Sequence, residues 1–307
     1  MKKVFLFSVV LLAWQITLAA ASLKKKIPIV VDTDIGSDID DAFALALILR
    51  SPELDLLGVT TVSGDAQARA RLAAKLLWEG GRRTVPVVAG EPGKPLPSEQ
   101  TRWAQKFSSS QIRREKATTF LDSLFRRRPR QITLVCIGPL TNIAALFDQD
   151  PGVAKKIKQI VMMGGSIAHG YGQDLTPTTE YNIAADPQAA KKVFTSGVPI
   201  LMAPLDVTAM LRLRRTDRER IFTELTPLTN ALTILYHLWG RKTPILFDPM
   251  AVTMLINPNM CRTQPLDINV DANGFTEVVK GQPPNATVAT YTHPEDFFEF
   301  YLKRVAP

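Results

Sequence analysis

Ile29-Val30-Val31-Asp32-Thr33-Asp34-Ile35-Gly36-Ser37-Asp38-Ile39-Asp40-Asp41-Ala42-Phe43-Ala44-Leu45 runs from a β-branched stretch, through a turn crowded with acid, into apolar residues at helical spacing. Five carboxylates fall within the ten residues from Asp32 to Asp41. Like charges at this density repel one another and cost stability. A hard divalent cation, which takes oxygen ligands, would offset that cost. A helix cap would also account for Asp40 or Asp41, but a cap needs one carboxylate. The stretch is therefore expected to be a buried strand, a metal-binding turn and a helix.

The pattern repeats outward from that unit. Ile27 to Val31 is continuous and β-branched, as in a strand buried on both faces. A helix is expected over Asp41 to Arg50, ending at Ser51-Pro52. Strands follow over Leu54 to Val62, Val85 to Ala89, Ile132 to Ile137, Ile157 to Met163 and Ile200 to Ala203. Helices alternate with them over Ala66 to Trp78, Ala117 to Phe125, Leu140 to Phe147 and Asp186 to Ser196. Residues 98 to 116 are polar and poorly periodic, and are expected to be a long surface excursion. Arg218 to His237 carries a helical pattern with a break at Pro227. Another helix is expected to open with Pro249 at its first position. The last third turns toward β structure, over Asp267 to Val270, Thr276 to Val279 and Thr287 to Ala289, and then a helix from Pro294 to Lys303. Alternating strands and helices give an α/β fold: one Rossmann-like domain, a mostly parallel central sheet with helices on both faces, and a small antiparallel extension. In such sheets ligands bind at the carboxyl ends of strands.

Residues 1–21 stand apart. Lys2 and Lys3 precede the apolar run Val4 to Leu12, and Ala19-Ala20-Ala21 offers a cleavage site, so a secretory signal peptide is expected. Residues 22–307 would form the single catalytic domain, exported to the periplasm or secreted, with no membrane contact after cleavage. The formal net charge is +8. It sits in local runs such as Arg126-Arg127-Arg128-Pro129-Arg130, without the interleaved aromatics of a nucleic-acid module. Solvated faces are expected there, and no nucleic-acid partner. Two cysteines, Cys136 and Cys261, exclude a disulfide scaffold.

Several chemistries begin with an acidic turn. An EF-hand wants Gly at the sixth loop position and Glu at the twelfth; counted from Asp32 these are Ser37 and Phe43. A haloacid-dehalogenase-type Mg²⁺ phosphatase also opens with a strand and D-x-D, but Gly36 stands where it wants Thr or Val. Later turns add Ile137-Gly138-Pro139-Leu140-Thr141-Asn142, Met163-Gly164-Gly165, Glu180-Tyr181-Asn182 before Asp186-Pro187, and Asp248-Pro249-Met250-Ala251. In this order and spacing, and together with the acidic turn, they resemble the inosine/uridine-preferring nucleoside hydrolase family.

The resemblance implies a Ca²⁺ held by Asp34, Asp41, the main-chain carbonyl of Ile137, and Asp248. It implies that Asp34 is also the general base on a water activated by the ion. Asp40 would bind a ribose hydroxyl, with Asp38 competing for that role because two extra residues lengthen the turn. Glu180 and Asn182 would grip the ribose. The substrate would be a small-molecule ribonucleoside, and the assembly a homodimer or homotetramer. The chemistry fits these roles: a cation lowers the pKa of water, a carboxylate takes its proton, and carboxylates stabilise an oxocarbenium-like sugar.

Three further departures concern the leaving base and the sugar. Asp65 and Asp174 stand where the family has ligand-contacting Asn residues, and each swaps a donor/acceptor for an acceptor. Phe247 stands where many members have the His linked to protonating the base. His237 is therefore a candidate leaving-group acid, with His169 a second, while His293 is expected at the surface. Phe247, Trp239, Tyr236 and Trp103 are candidate stacking partners for the base. The expected activity is Ca²⁺-dependent hydrolysis of an N-glycosidic bond to ribose and free base. An exported, non-catalytic ribose or nucleoside binder is the competing class.

Overall fold

The computed structural model describes residues 26–94, 98–172 and 174–307; the expected signal peptide lies outside them. The chain opens with β1 (Ile27–Thr33), α1 (Asp40–Leu49), β2 (Leu54–Thr61), α2 (Ala66–Glu79) and β3 (Val87–Ala89). It continues through α3 (Glu99–Trp103), β4 (Ile112–Arg113), α4 (Ala117–Arg127), β5 (Thr133–Ile137), α5 (Thr141–Gln149), β6 (Gln159–Met163), α6 (Pro187–Phe194) and β7 (Ile200–Ala203). Then come α7 (Arg215–Thr223), α8 (Pro227–Trp239), α9 (Phe247–Ile256), β8 (Cys261–Val270), β9 (Thr276–Val279), β10 (Ala286–Thr292) and α10 (Pro294–Val305).

The ten strands form one sheet in the order β4-β3-β2-β1-β5-β6-β7-β10-β8-β9. From β4 to β10 every pairing is parallel, while β8 pairs antiparallel with both β10 and β9. This is the expected α/β architecture with its antiparallel extension. The sheet winds one way from β1 to β4 and the other way from β5, so the β1/β5 boundary is the topological switch point, where such sheets leave a crevice. Register across it sets Thr33 beside Ile137. The acidic turn and the Gly138-Pro139 turn, about a hundred residues apart in sequence, thus leave the sheet side by side. Gly138 permits this approach: a Cβ there would meet the Asp34 backbone nitrogen at 2.8 Å.

β1 is buried through its second half because both its edges are paired and helices cover both faces. α1 is buried along its whole length, which explains why its sequence is apolar all round rather than on one stripe. Cys136 lies in the core beneath the turn, unpaired. The charged run from Arg126 to Arg130 is exposed, with Arg126 ion-paired to Asp122 and Asp150. Among the described residues, no helix is long and apolar enough to cross a membrane.

Two expectations about elements need correction. Residues 98–116 do run largely over the surface, but not as an irregular excursion. They carry α3 and the edge strand β4, and both Gln100 and Gln111 are buried. Their amides satisfy backbone carbonyls: Gln100 donates to Ser37 and Asp38, and Gln111 to Arg82 and Val85. A glutamine spent this way escapes a pattern search that looks for apolar periodicity. The second correction is α9, which begins at Phe247 rather than Pro249. Proline is tolerated in a first helical turn because its missing N–H has no intrahelical partner there. Asp248 therefore lies inside the first turn. The break at Pro227 stands as expected, separating α7 from α8.

Candidate active site

A cavity of about 400 Å³ opens above the β1/β5 boundary. Its acidic floor comes from three places in the chain. Asp40 and Asp41 sit in the first turn of α1, and Asp248 in the first turn of α9. One carboxylate oxygen from each lies within 4.8 Å of the others. The two helix starts touch directly, since the Asp248 N–H donates to Asp40 Oδ2 at 3.3 Å. Both helices thus direct N-terminal dipoles at the cluster, which favours negative charge there. Burial is the stronger effect. It raises the proton affinity of Asp40, Asp41 and Asp248, and repulsion among the carboxylates raises it further. A compact, buried, all-oxygen donor set in this electrostatic state fits a hard divalent cation. Ile137, at the end of β5, also lines the cavity.

Asp34 lines the cavity beside this cluster and accepts a 2.9 Å hydrogen bond from the Ser37 hydroxyl. Its charged neighbour is Arg69, a buried residue of α2 with its guanidinium 4.0 Å from the Asp34 carboxylate. Arg69 also donates to the carbonyls of Ser63 and Ile35 and to the Ser37 hydroxyl. It therefore ties the acidic turn to the β2–α2 turn while supplying the cavity's one fully embedded cation among the described residues. Asp38, in the lengthened part of the turn, is half-buried and lines the cavity. Burial raises its proton affinity, and the nearby Arg241 draws it down.

Asp32 sits beneath the floor. It accepts from Thr60 and, at 2.7 Å, from Asn142 Nδ2, while its second oxygen has no partner among the described residues. Burial pushes its carboxyl up to about 7. Asn142 also donates to the Thr61 carbonyl and accepts the Glu91 N–H, so the last residue of the Gly138-to-Asn142 motif braces three turns.

Glu180 and Asn182 form the opposite wall. Glu180 caps the one-turn helix Tyr181–Ala184, accepting the N–H groups of Asn182 and Ile183, and also that of Gly165. These three bonds favour its ionised form, yet burial outweighs them and pushes the carboxyl up to about 7. Asn182 donates to the Met163 carbonyl at 3.3 Å. Phe247 lines the cavity and meets Tyr171 edge-on, with centroids 6.0 Å apart.

Three expected site residues lie elsewhere. Asp65 is exposed and caps α2, accepting the Ala68 N–H. Asp174 is exposed in a turn with Thr176. His237 packs between Phe222 and Tyr236, away from the cavity lining. Both aspartates take short-range turn roles that their sequences, Ser-Gly-Asp before a helix and Asp-x-Thr, allow equally well. Conversely, Arg69, Arg241 and Tyr171 line the cavity without any motif pointing to them, and Tyr181 and Met163, members of two of the motifs, line it as well. An arginine inside a polar helix carries no signal that distinguishes it from a solvated one.

Comparison with known proteins agrees with this arrangement. Residues 29–299 match the profile of the inosine-uridine preferring nucleoside hydrolase family. The pyrimidine-specific ribonucleoside hydrolase RihA of Citrobacter koseri is 31% identical over 91% of this chain and 98% of its own. RihA of Salmonella arizonae is 32% identical over the same shares. Among solved structures, the plant nucleoside hydrolase PpNRh1 superposes with a TM-score of 0.81 at 25% identity, covering 91% of this chain and 98% of that one. A purine-preferring ribonucleoside hydrolase from Gardnerella vaginalis gives 0.75 at 26%, with the same coverage. With the acidic turn, the Gly138 turn and the Glu180–Asn182 wall gathered at one switch point, and the match running nearly from end to end, the chain belongs to the inosine–uridine preferring nucleoside hydrolases, enzymes of N-glycosyl bond hydrolysis.

Proposed function

We propose that this chain is a Ca²⁺-dependent hydrolase of ribonucleosides, releasing ribose and a free base. The observation that carries the reading is the convergence of Asp40, Asp41 and Asp248 within 4.8 Å at the floor of the cavity. Asp34, Asp41, Asp248 and the carbonyl of Ile137 would hold the ion. Bound there, a divalent cation supplies charge that acidifies water and orients vicinal hydroxyls. The chain's own groups do the remaining work. Asp34 takes the proton from the attacking water, and Ser37 and Arg69 orient its carboxylate. Asp40 and Glu180 accept from the ribose hydroxyls and Asn182 can donate to them, and the buried carboxylates of Asp40 and Glu180 stabilise positive charge as the sugar approaches an oxocarbenium ion. Asp38 and Phe247 complete the cavity around the substrate. Export directed by residues 1–21, which rests on the sequence, and assembly as a homodimer or homotetramer, which rests on the family resemblance, belong to the same proposal.

The test is direct. Purified mature protein is incubated with Ca²⁺ and a panel of nucleosides, and reducing sugar is followed. Ribose release that is abolished by chelation and by Asp34→Ala is the expected result. Ribose-dependent binding without turnover of any nucleoside would overturn the reading in favour of a binding protein, and phosphate release from phosphate esters would favour a phosphatase.

A further inference from the structure

We propose that the Tyr171 hydroxyl donates a hydrogen bond to the departing base, and that this residue is the catalytic group on the leaving side of the cavity; the inference rests on the function proposed above. Among the described residues, the lining of the cavity contains no histidine, lysine or cysteine. The side-chain donors that remain there are few. Ser37 is engaged with Asp34, and Arg69 is spent on the acidic turn and its neighbours. Asn182 already donates to Met163. Arg241 is exposed, is drawn toward Asp38, and lies over Trp239 with its guanidinium 5.6 Å from the ring centroid. Tyr181 also lines the cavity, but among the described residues it is the Tyr171 ring that stands against Phe247. Tyr171 is left.

Its geometry suits the task. Among the described residues the Tyr171 oxygen has one partner, accepting the Tyr181 N–H at 3.0 Å, so its own hydrogen remains available. The ring stands edge-on to Phe247, an aromatic wall against which a flat base can stack. The residue is 43% exposed, and partial burial of the hydroxyl together with the Glu180 carboxylate raises the phenol further, so the donor is protonated across the neutral range. The loop beneath it is braced. Asp206 accepts the N–H groups of Ile167, Ala168 and His169. Thr276 accepts from the Ser166 N–H and donates to its carbonyl, and the Ser166 hydroxyl donates to His169. A donor fixed in this way needs little reorganisation as charge develops on the base.

The step balances as follows. The C1′–N bond breaks, and its electron pair passes to the base nitrogen. A water oxygen bonds to C1′, and one of its protons goes to Asp34. The base gains a proton in return, drawn from solvent, while the Tyr171 O–H stabilises the charge it carries in transit. Ribose and neutral base leave, and nothing is oxidised or reduced.

Two substrates separate this role from a structural one. A nucleoside needs help on the base, whereas p-nitrophenyl β-ribofuranoside releases a stable phenolate and needs none. Tyr171→Phe is expected to lower kcat/KM for inosine or uridine on the order of 10²-fold and to lower p-nitrophenyl riboside turnover far less. An equal loss on both substrates would overturn the proposal, showing a structural role, as would no loss on either. If the wild type cleaves the p-nitrophenyl riboside and no nucleoside, the proposed function fails together with the Tyr171 role, whereas an equal loss or no loss in the variant removes the Tyr171 role alone. If the wild type cleaves neither, it is the proposed function itself that fails.

Discussion

Arg69 and Glu180 are buried ionisable residues lining the cavity, and each predicts a measurement. Arg69 serves three acceptors and faces Asp34 at 4.0 Å. Arg69→Ala leaves a buried carboxylate without its cation and two carbonyls without donors. Unfolding in urea should show a loss of about 3–5 kcal/mol. Glu180 behaves oppositely to an exposed acid. Its carboxyl titrates near 4.5 when unfolded and at about 7 when folded, so the folded state binds its proton more tightly. Its contribution to stability is therefore fully present below pH 4.5 and is lost as pH rises toward 7. Glu180→Gln should flatten the fall in melting temperature across that window in chelated protein. The same physics explains what could be read from single residues. The five clustered aspartates announce themselves because their repulsion demands an answer. Asp65, Asp174 and His237 do not declare where they point, since capping, turn and packing roles use the same residue types.

At the scale of elements, the strand–turn–helix units were legible because each is local: an apolar run, a glycine turn and helical spacing lie within about twenty residues of one another. α3 was not, because its five residues are held by Gln100 and Ser98 donating to the acidic turn. That interaction is invisible until the chain has folded. Two turns make predictions at this scale. Gly138→Ala would bring a Cβ to 2.8 Å from the Asp34 nitrogen and force the two turns apart. Turnover should fall by more than tenfold, a displacement effect of the kind expected from misplacing reacting groups, while circular dichroism stays native. Asp206→Ala removes the acceptor of three N–H groups in the loop below Tyr171. Calorimetry should register about 1–3 kcal/mol of lost stability.

For the whole molecule, the mostly parallel sheet followed from alternation and the antiparallel end from the β-rich last third, but the order of the strands and the meeting of Asp40 and Asp41 with Asp248 required tertiary structure. Three buried carboxylates this close destabilise the fold unless a cation joins them. Adding Ca²⁺ to chelated protein should therefore raise the melting temperature, with about 2.7 kcal/mol gained at a hundredfold excess over Kd. Asp41→Asn should shrink that gain.

Because Asp34 and Asp41 sit near the start of the chain and Asp248 about two hundred residues later, the proposed ligands meet only once α9 has docked against α1. Loop closure over such a span is slow, and little rewards it until the end. Capture of an ion at this cluster would then report that assembly is finished. A chain stalled with β1 and α1 formed but α9 undocked would hold two of the three carboxylates and bind cation weakly. The time at which tight binding appears during refolding thus becomes a clock for the last docking event, readable with a metal-sensitive dye in the same mixing experiment that follows tryptophan fluorescence.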